Sequence, residues 1–310
     1  MELEADMDYF VDDGIISGKK LGRKIKREIK SEVERLTNMH GIPPKLVTIL
    51  VGEDPGSKMY VKMKHRACKR VGIQSDHYDI PDGISQDELI ELIERLNEDS
   101  SVHGILVQLP LPRHINEEEI ISTIDPNKDV DGFSPRNIYR LFYGSEMLSS
   151  ATPQGIVTML DAIGANLRGK HAVIINRSTI VGKPLIMLLL NRDATVTVCH
   201  SKTEDLASFT RQADILVTAI GRRQDDEDPY YITADMVKKD VIVIDVATPH
   251  GDVDFEAVKE KASFITPVPG GVGPMTITML LKNVLEAYAY QQARTNVLTL
   301  GAIDYGSYSS

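Results

Sequence analysis

Two cysteines, Cys68 and Cys199, are all that 310 residues contain. A disulfide framework is therefore not expected, and neither thiol stands in a CxxC or Cys/His cluster with metal spacing. Buried, reduced thiols are the simpler reading. Basic charge is also scarce: 35 Lys and Arg face 45 Asp and Glu, for a formal charge of −10. That balance argues against a general nucleic-acid binder, which needs a basic face, but leaves room for an anionic small ligand held by local loops. Long apolar runs are missing too. The longest, Leu185–Leu190, falls far short of the roughly 20 residues that span a bilayer, so no membrane partner is expected. The opening MELEADMDYF lacks a basic stretch followed by an apolar one. No signal peptide is read, and a cytoplasmic location is expected.

What is present is a soluble globular composition, 42% hydrophobic and 26% charged, in a chain long enough for two domains. Lys19 to His40 carries Lys, Arg, Glu, Ile and Leu at helical spacing until Gly41 and Pro43 stop it. KLVTILVG (45–52), a run near 73–80 and VHGILVQL (102–109) read as strands, separated by helices over 55–71 and 85–99. The second half repeats this with HAVIIN (171–176), ATVTVC (194–199), ADILVTAI (213–220) and VIVIDV (241–246), and with SFITPV (263–268) as a candidate fifth. Alternating strands and helices imply an α/β fold: a first α/β domain, then a Rossmann-type doubly wound parallel sheet. The expected domains are 1–150, joined by a closing helix over about 276–291, and 151–275, followed by an aperiodic tail, 292–310.

In such a sheet phosphates favour a strand-to-helix turn. The turn after the first strand of the second half reads Asn176-Arg177-Ser178-Thr179-Ile180-Val181-Gly182. It is not GxGxxG. Gly182 allows close packing, Asn176 tolerates left-handed backbone, and Arg177 and Ser178 offer charge and hydrogen bonds. An ordinary βα turn is the competing reading. The next strand ends Cys199-His200-Ser201-Lys202, with no acid before Glu204. Such an acid would hold an NAD ribose; its absence, with Arg177, His200 and Ser201 nearby, favours NADP over NAD.

In the first half, Tyr60 and Lys64 are spaced i, i+4 and share a helix face. A partly buried lysine beside a tyrosine can exchange protons near neutrality, although a snorkelling surface lysine is commoner, and Lys58 and Lys62 are close by. Gln108 stands at the end of an apolar strand, where side chains reach ligands. Lys128-Asp129-Val130-Asp131-Gly132 puts two acids in a turn, either solvated or a weak metal loop; too few oxygen ligands are in register, so no metal is expected. Thr266 to Pro274 holds three glycines and three prolines, a stiff, accessible backbone suited to approaching a flat ring or an anion.

Together, YVKMK (60–64), GILVQLPLP (104–112), PNKDVDG (126–132), TPQG (152–155), NRSTIVGKP (176–184) and PVPGGVGPMT (267–276) resemble the bifunctional methylenetetrahydrofolate dehydrogenase/cyclohydrolase family of FolD type, in its order, over about residues 14 to 290. The resemblance implies an N-terminal catalytic domain, a C-terminal Rossmann domain, a folate cleft between them and a homodimer. It implies that Lys64 is the cyclohydrolase lysine, shaped by Tyr60 and Gln108, and that Asp131 holds the pterin. Arg177, Ser178 and Ser201 would then match the family's NADP contacts, with Asn176, His200 and Thr248 as further candidate cofactor contacts of this chain, and Leu109, Pro110 and Pro269, Gly270, Gly271, Val272 and Gly273 would line the folate site.

Four segments depart from the family pattern. Ala151 replaces a cysteine, and Asn176 replaces the first glycine of Gly-Arg-Ser. Ala247-Thr248-Pro249 stands for Gly-Ile-Asn, and RRQDDEDPYY (222–231) lengthens a short turn. These changes cluster in the cofactor half. The rivals are an enzyme of the same fold acting on tetrahydromethanopterin or on another small substrate, and a non-catalytic folate- or nucleotide-binding protein; Tyr60, Lys64, Gln108 and Asp131 together weigh against the second.

Overall fold

The structure, a computed structural model, describes residues 7–221 and 230–301, with 295–301 as backbone alone. Most of the acidic stretch, 222–229, and the end of the expected tail, 302–310, lie outside the described residues. In chain order come α1 (Met7–Phe10), β1 (Val11–Asp12), β2 (Ile15–Ile16), α2 (Gly18–His40), β3 (Lys45–Val51), α3 (Pro55–Val71), β4 (Gln74–Ile80) and α4 (Gln86–Glu98). Then follow β5 (Gly104–Val107), α5 (Glu117–Thr123), α6 (Pro135–Phe142), α7 (Ala151–Ala162), β6 (His171–Ile175), α8 (Gly182–Leu190) and β7 (Thr195–Cys199). The rest are α9 (Leu206–Thr210), β8 (Ile215–Thr218), β9 (Val241–Asp245), α10 (Phe255–Lys259), β10 (Ala262–Ile265) and α11 (Val272–Gly301).

The chain forms two compact units: Met1–Ile25 with Tyr139–Met279, and Lys26–Ile138 with the chain from Leu280 on. These limits differ from an expected break at 150, for a physical reason. The hairpin of β1 and β2 pairs with β10 through Ile15 and Ile265, which ties the first residues to the larger sheet.

The unit that starts at Lys26 is built on a three-stranded parallel sheet, β4-β3-β5. β3 is central, buried from Leu46 to Val51, as a strand covered on both faces must be. Its crossovers begin with strong caps. Asp54 accepts from Ser57 N at 2.7 Å ahead of Pro55, and Ser85 and Glu88 form a reciprocal capping box on α4. Leu89, Leu92, Ile93 and Leu96 of α4 pack on Val47, Ile49, Ile105 and Val107.

The other unit carries a seven-stranded sheet, β1-β2-β10-β9-β8-β6-β7, in which β6 to β10 are parallel. The five strands expected in the second half are all present, SFITPV included. Their order places the reversal of winding between β6 and β8, the crevice where doubly wound folds bind ligands. Register aligns Cys199, Ile175, Thr218 and Asp245 in one row across β7, β6, β8 and β9. The loops at 176, 200, 219 and 246 therefore leave the sheet at one level. The last helix starts at Val272 and continues to Gly301, longer at both ends than the expected 276–291.

Candidate active site

On α3 the buried residues are Ser57, Val61, Ala67, Cys68 and Val71. Lys64 falls on that stripe, three residues after Val61 and three before Ala67, and is half-buried. Lys58 and Lys62 point outward, and Lys58 pairs with Glu53. The spacing thus singles out Lys64. Its Nζ donates to Gln108 Oε1 at 3.0 Å. Gln108 follows β5 and extends the ladder through its own N–H to Ile49 O at 2.8 Å. Leu109 is half-buried and Pro110 exposed, joined by a cis peptide bond. Tyr60, one turn before Lys64, remains 48% exposed.

The turn after α5 supplies the acid. Asp129 is buried rather than solvated: it accepts from Gly132 N at 3.0 Å, Ser134 N at 2.8 Å and Asn137 Nδ2 at 3.0 Å. Lys128 is also buried and donates to the carbonyls of Leu96, Asn97 and Asp99 at 3.0, 2.7 and 2.7 Å, closing the C-terminal end of α4. Two residues that read as a polar turn are thus the internal frame of the loop that carries Asp131. Desolvation pushes the Asp131 carboxyl above its ordinary range; the Lys64 charge opposes this and Asp129 reinforces it. Lys64, Gln108 and Asp131 therefore form one cluster: an amine on an amide carbonyl, under the field of a carboxyl that holds its proton more tightly than usual. Such a group can relay protons to and from a bound ligand. Among the described residues, no group of three His, Cys, Asp or Glu could hold a metal ion.

In the sheet unit, Asn176 and Arg177 leave β6 beside His200 and Ser201, which follow β7. The backbone of Asn176 is not left-handed; among the described residues the non-glycine positions with positive φ are Asp13, Asp193, Asp205 and Asp240. Its side chain does the turning instead, with Oδ1 accepting from Ser178 N at 2.8 Å and Gly182 N at 3.1 Å. A Cβ on Gly182 would lie 2.4 Å from Asn176 O, so the turn needs glycine there. Ser178 Oγ accepts from Val181 N at 3.1 Å and Gly182 N at 3.4 Å, and a hydroxyl that accepts still carries an O–H that can donate. His200 Nδ1 accepts from Lys202 N at 3.2 Å, which puts the ring proton on Nε2, again a donor. Arg177, Ser201 and Thr248 are exposed.

The Pro-Gly segment is partly structural. Gly270 has φ 114°, and a Cβ on Gly271 would lie 2.6 Å from Pro267 O. A Cβ on Gly18, at the start of α2, would lie 1.9 Å from Gly271 O, and Lys19 N donates to Gly270 O at 3.0 Å. Val272 and Gly273 belong to α11, and only Gly273 of these glycines faces open space. TPQG meets the same segment: Thr152 bonds Thr276 at 2.9 Å, and Gly155 admits Met275.

Two family models match the chain: the tetrahydrofolate dehydrogenase/cyclohydrolase catalytic domain over residues 16–131 and its NAD(P)-binding domain over residues 150–292. The chain belongs to the tetrahydrofolate dehydrogenase/cyclohydrolase family. A bifunctional protein FolD of Francisella philomiragia is 52% identical over 279 residues, covering 88% of this chain and 97% of that protein. A crystal structure of the bifunctional FolD enzyme of Campylobacter jejuni aligns with TM-score 0.84 and 48% identity, over 90% of this chain and 98% of that one. The Trypanosoma brucei FolD, solved with NADP and an inhibitor, aligns at TM-score 0.84 and 35% identity, over 90% and 98%.

Lys64, Gln108, Asp131 and Tyr60 fall within the catalytic-domain match, and Asn176 to Gly273 within the nucleotide-domain match. Within this family member, residues that the motifs did not flag also hold the site. Asp245, 3% exposed, accepts from Ala247 N at 3.0 Å and Val253 N at 3.1 Å, fixing the loop that carries Thr248. Asp252 accepts from Thr218 Oγ1 and Ile220 N, both at 2.7 Å, and from Gly221 N at 3.0 Å. The signal that picked Gln108, a polar residue ending an apolar strand, applies equally to Asp245 in VIVIDV. No helix among the described residues is long and apolar enough to cross a membrane.

Proposed function

We propose that this protein oxidises 5,10-methylenetetrahydrofolate to the 5,10-methenyl cation with NADP as hydride acceptor, and hydrolyses that cation to 10-formyltetrahydrofolate. The observation that carries the reading is the 3.0 Å bond from Lys64 Nζ to Gln108 Oε1, on the half-buried stripe of α3 and under the field of Asp131.

Bound NADP supplies the hydride acceptor, so the oxidation needs no protein nucleophile and depends on how the chain positions its ligands. The donor set fits that dinucleotide: Arg177, Ser178 Oγ, His200 Nε2 and Ser201 lie at the ends of adjacent strands, with no carboxylate before Glu204 to repel a 2′-phosphate. For hydrolysis, water adds to the methenyl carbon and a carbon–nitrogen bond opens, with release of one proton. Lys64 moves that proton, Gln108 holds the amine in place and Asp131 takes the pterin ring. Tyr60, Leu109, Pro110 and Pro269 to Gly273 line the folate. Residues 1–150 with the closing helix are the folate part and 151–275 the nucleotide part in this proposal. A cytoplasmic homodimer acting on a small folate, without nucleic acid, belongs to the same reading and rests on the family resemblance and the acidic charge.

A spectrophotometric assay of the purified protein with methylenetetrahydrofolate and either NADP or NAD tests it. Reduction of NADP ahead of NAD, followed by decay of the methenyl absorbance beyond the buffer rate, is expected. No nucleotide reduction, or methenyl decay at the uncatalysed rate, overturns it.

A further inference from the structure

The side chain of Asn176 spans the crevice at which the sheet reverses its winding. Its Nδ2 donates to Ala219 O, at the end of β8, over 2.7 Å, while its Oδ1 takes the N–H groups of Ser178 and Gly182 on the β6 side. The partners fix the amide's orientation: two N–H donors demand the oxygen on one side, and a carbonyl demands the NH2 on the other. One half-buried residue thereby ties together the two loops that flank the ligand crevice.

The same bonds close the start of α8. Gly182 N is held by Asn176 Oδ1, Lys183 N donates to Ser178 O at 2.9 Å, Pro184 has no N–H, and Leu185 N donates to Val181 O at 3.1 Å. Doubly wound folds offer these first amides to a diphosphate; here none is left free. The cationic groups beside the closed turn are the exposed side chains of Arg177 and Lys183.

We propose that Asn176 is a positioning residue for the nucleotide: it sets the width of the crevice between the β6 and β8 loops and leaves diphosphate recognition to side chains rather than to the α8 amides. The inference rests on the NADP reading above and adds a residue role to it. With Asn176→Ala the loops keep, among the described residues, only the 3.3 Å backbone bond from Ala219 N to Ile175 O, Ser178 N loses its acceptor and Gly182 N retains only Ser178 Oγ at 3.4 Å, so NADP affinity falls by about tenfold or more. Asn176→Asp separates the bridge from the local turn. Its carboxylate can still accept from Ser178 and Gly182 but presents an oxygen to Ala219 O, whereas its protonated form restores an O–H donor there and mimics the amide.

The experiment is calorimetric titration of NADP into wild type and both variants across a pH series, with thermal melting of each nucleotide-free protein as the folding control. Expected are a weakened Asn176→Ala at every pH, and an Asn176→Asp that binds as weakly near neutrality but recovers toward wild type as pH falls. Dividing by the Asn176→Ala affinity at each pH cancels titration of the nucleotide's own phosphate. Wild-type affinity in Asn176→Ala, or no recovery of Asn176→Asp relative to it, overturns the role of Asn176. Failure of the wild type to bind NADP overturns the NADP reading instead. If Asn176→Ala does not fold, the wild-type affinity at each pH replaces it as the divisor, and a ratio for Asn176→Asp that does not rise as pH falls overturns the role of Asn176.

Discussion

Gln108 turns its Nε2 back onto Leu109 O at 2.8 Å, so that only Oε1 can face Lys64, and the 3.0 Å bond to Nζ has one possible polarity. The amine is thus presented with its remaining valences free for a ligand. Lys64→Ala is expected to lower methenyl hydrolysis by about 10²- to 10⁴-fold, the usual scale of a lost proton-transfer group. Urea midpoints should barely move, because a half-buried lysine adds little to the core. Hydrolysis at the wild-type rate would remove Lys64 from the chemistry.

Gln108→Glu keeps the shape and replaces a neutral acceptor with an anion. A carboxylate binds an ammonium more tightly than a neutral carbonyl does, and so keeps the amine on that side chain rather than on a ligand. Methenyl hydrolysis should therefore fall by about tenfold or more. The measurement is the hydrolysis rate of the variant against wild type. An unchanged rate would show that the Gln108 contact does not govern the reacting proton.

Much of this arrangement is legible in the chain, and the rest is hidden for identifiable reasons. β3 and β6 announce themselves as apolar β-branched runs, and α4 by Ser85 with Glu88. Gln108 stands out because it ends an apolar run. Lys128 does not, since a lysine in PNKDVDG reads as solvated until its three acceptors, about thirty residues earlier, come under it. β1 and β2 are two residues each, too short for an alternating pattern, and owe their pairing to the edge of β10. For Asn176 local propensity pointed to backbone, but a partner 43 residues away decided in favour of the side chain.

The glycines near residue 270 divide into two kinds, which substitution should separate. A Cβ on Gly18 would meet Gly271 O at 1.9 Å, whereas one on Gly273 meets nothing within 4 Å. Gly18→Ala is expected to destabilise by about 3 kcal/mol or more, since backbone cannot yield as a side-chain tip can. Gly273→Ala should lie within about 1 kcal/mol of wild type and lean toward stabilising, being in the first turn of α11. Its effect should appear in the Michaelis constant for folate. Denaturant unfolding of the pair checks both, and equal losses would contradict the packing described.

Asp245 makes the fold's stability depend on pH in a direction opposite to that of a salt-bridged carboxylate. Burial is the first cause of its rise from an ordinary 3.8 to about 7; neighbouring Asp252 adds to it, while the N–H groups of Ala247 and Val253 oppose it. Because the native value exceeds the unfolded one, the neutral acid stabilises the fold. That contribution is complete below about pH 4 and fades as pH climbs toward about 7. The whole span is worth at most roughly 4 kcal/mol, of which about 2–3 falls between about pH 5 and 7.5. Asp129, Asp131 and Glu286 are raised as well, so the wild type alone cannot apportion the loss. Asp245→Ala does so by difference: it costs stability at every pH, because two N–H groups lose their acceptor, yet it should flatten the decline between those pH values. Parallel declines in urea-derived stability would show that Asp245 does not titrate there.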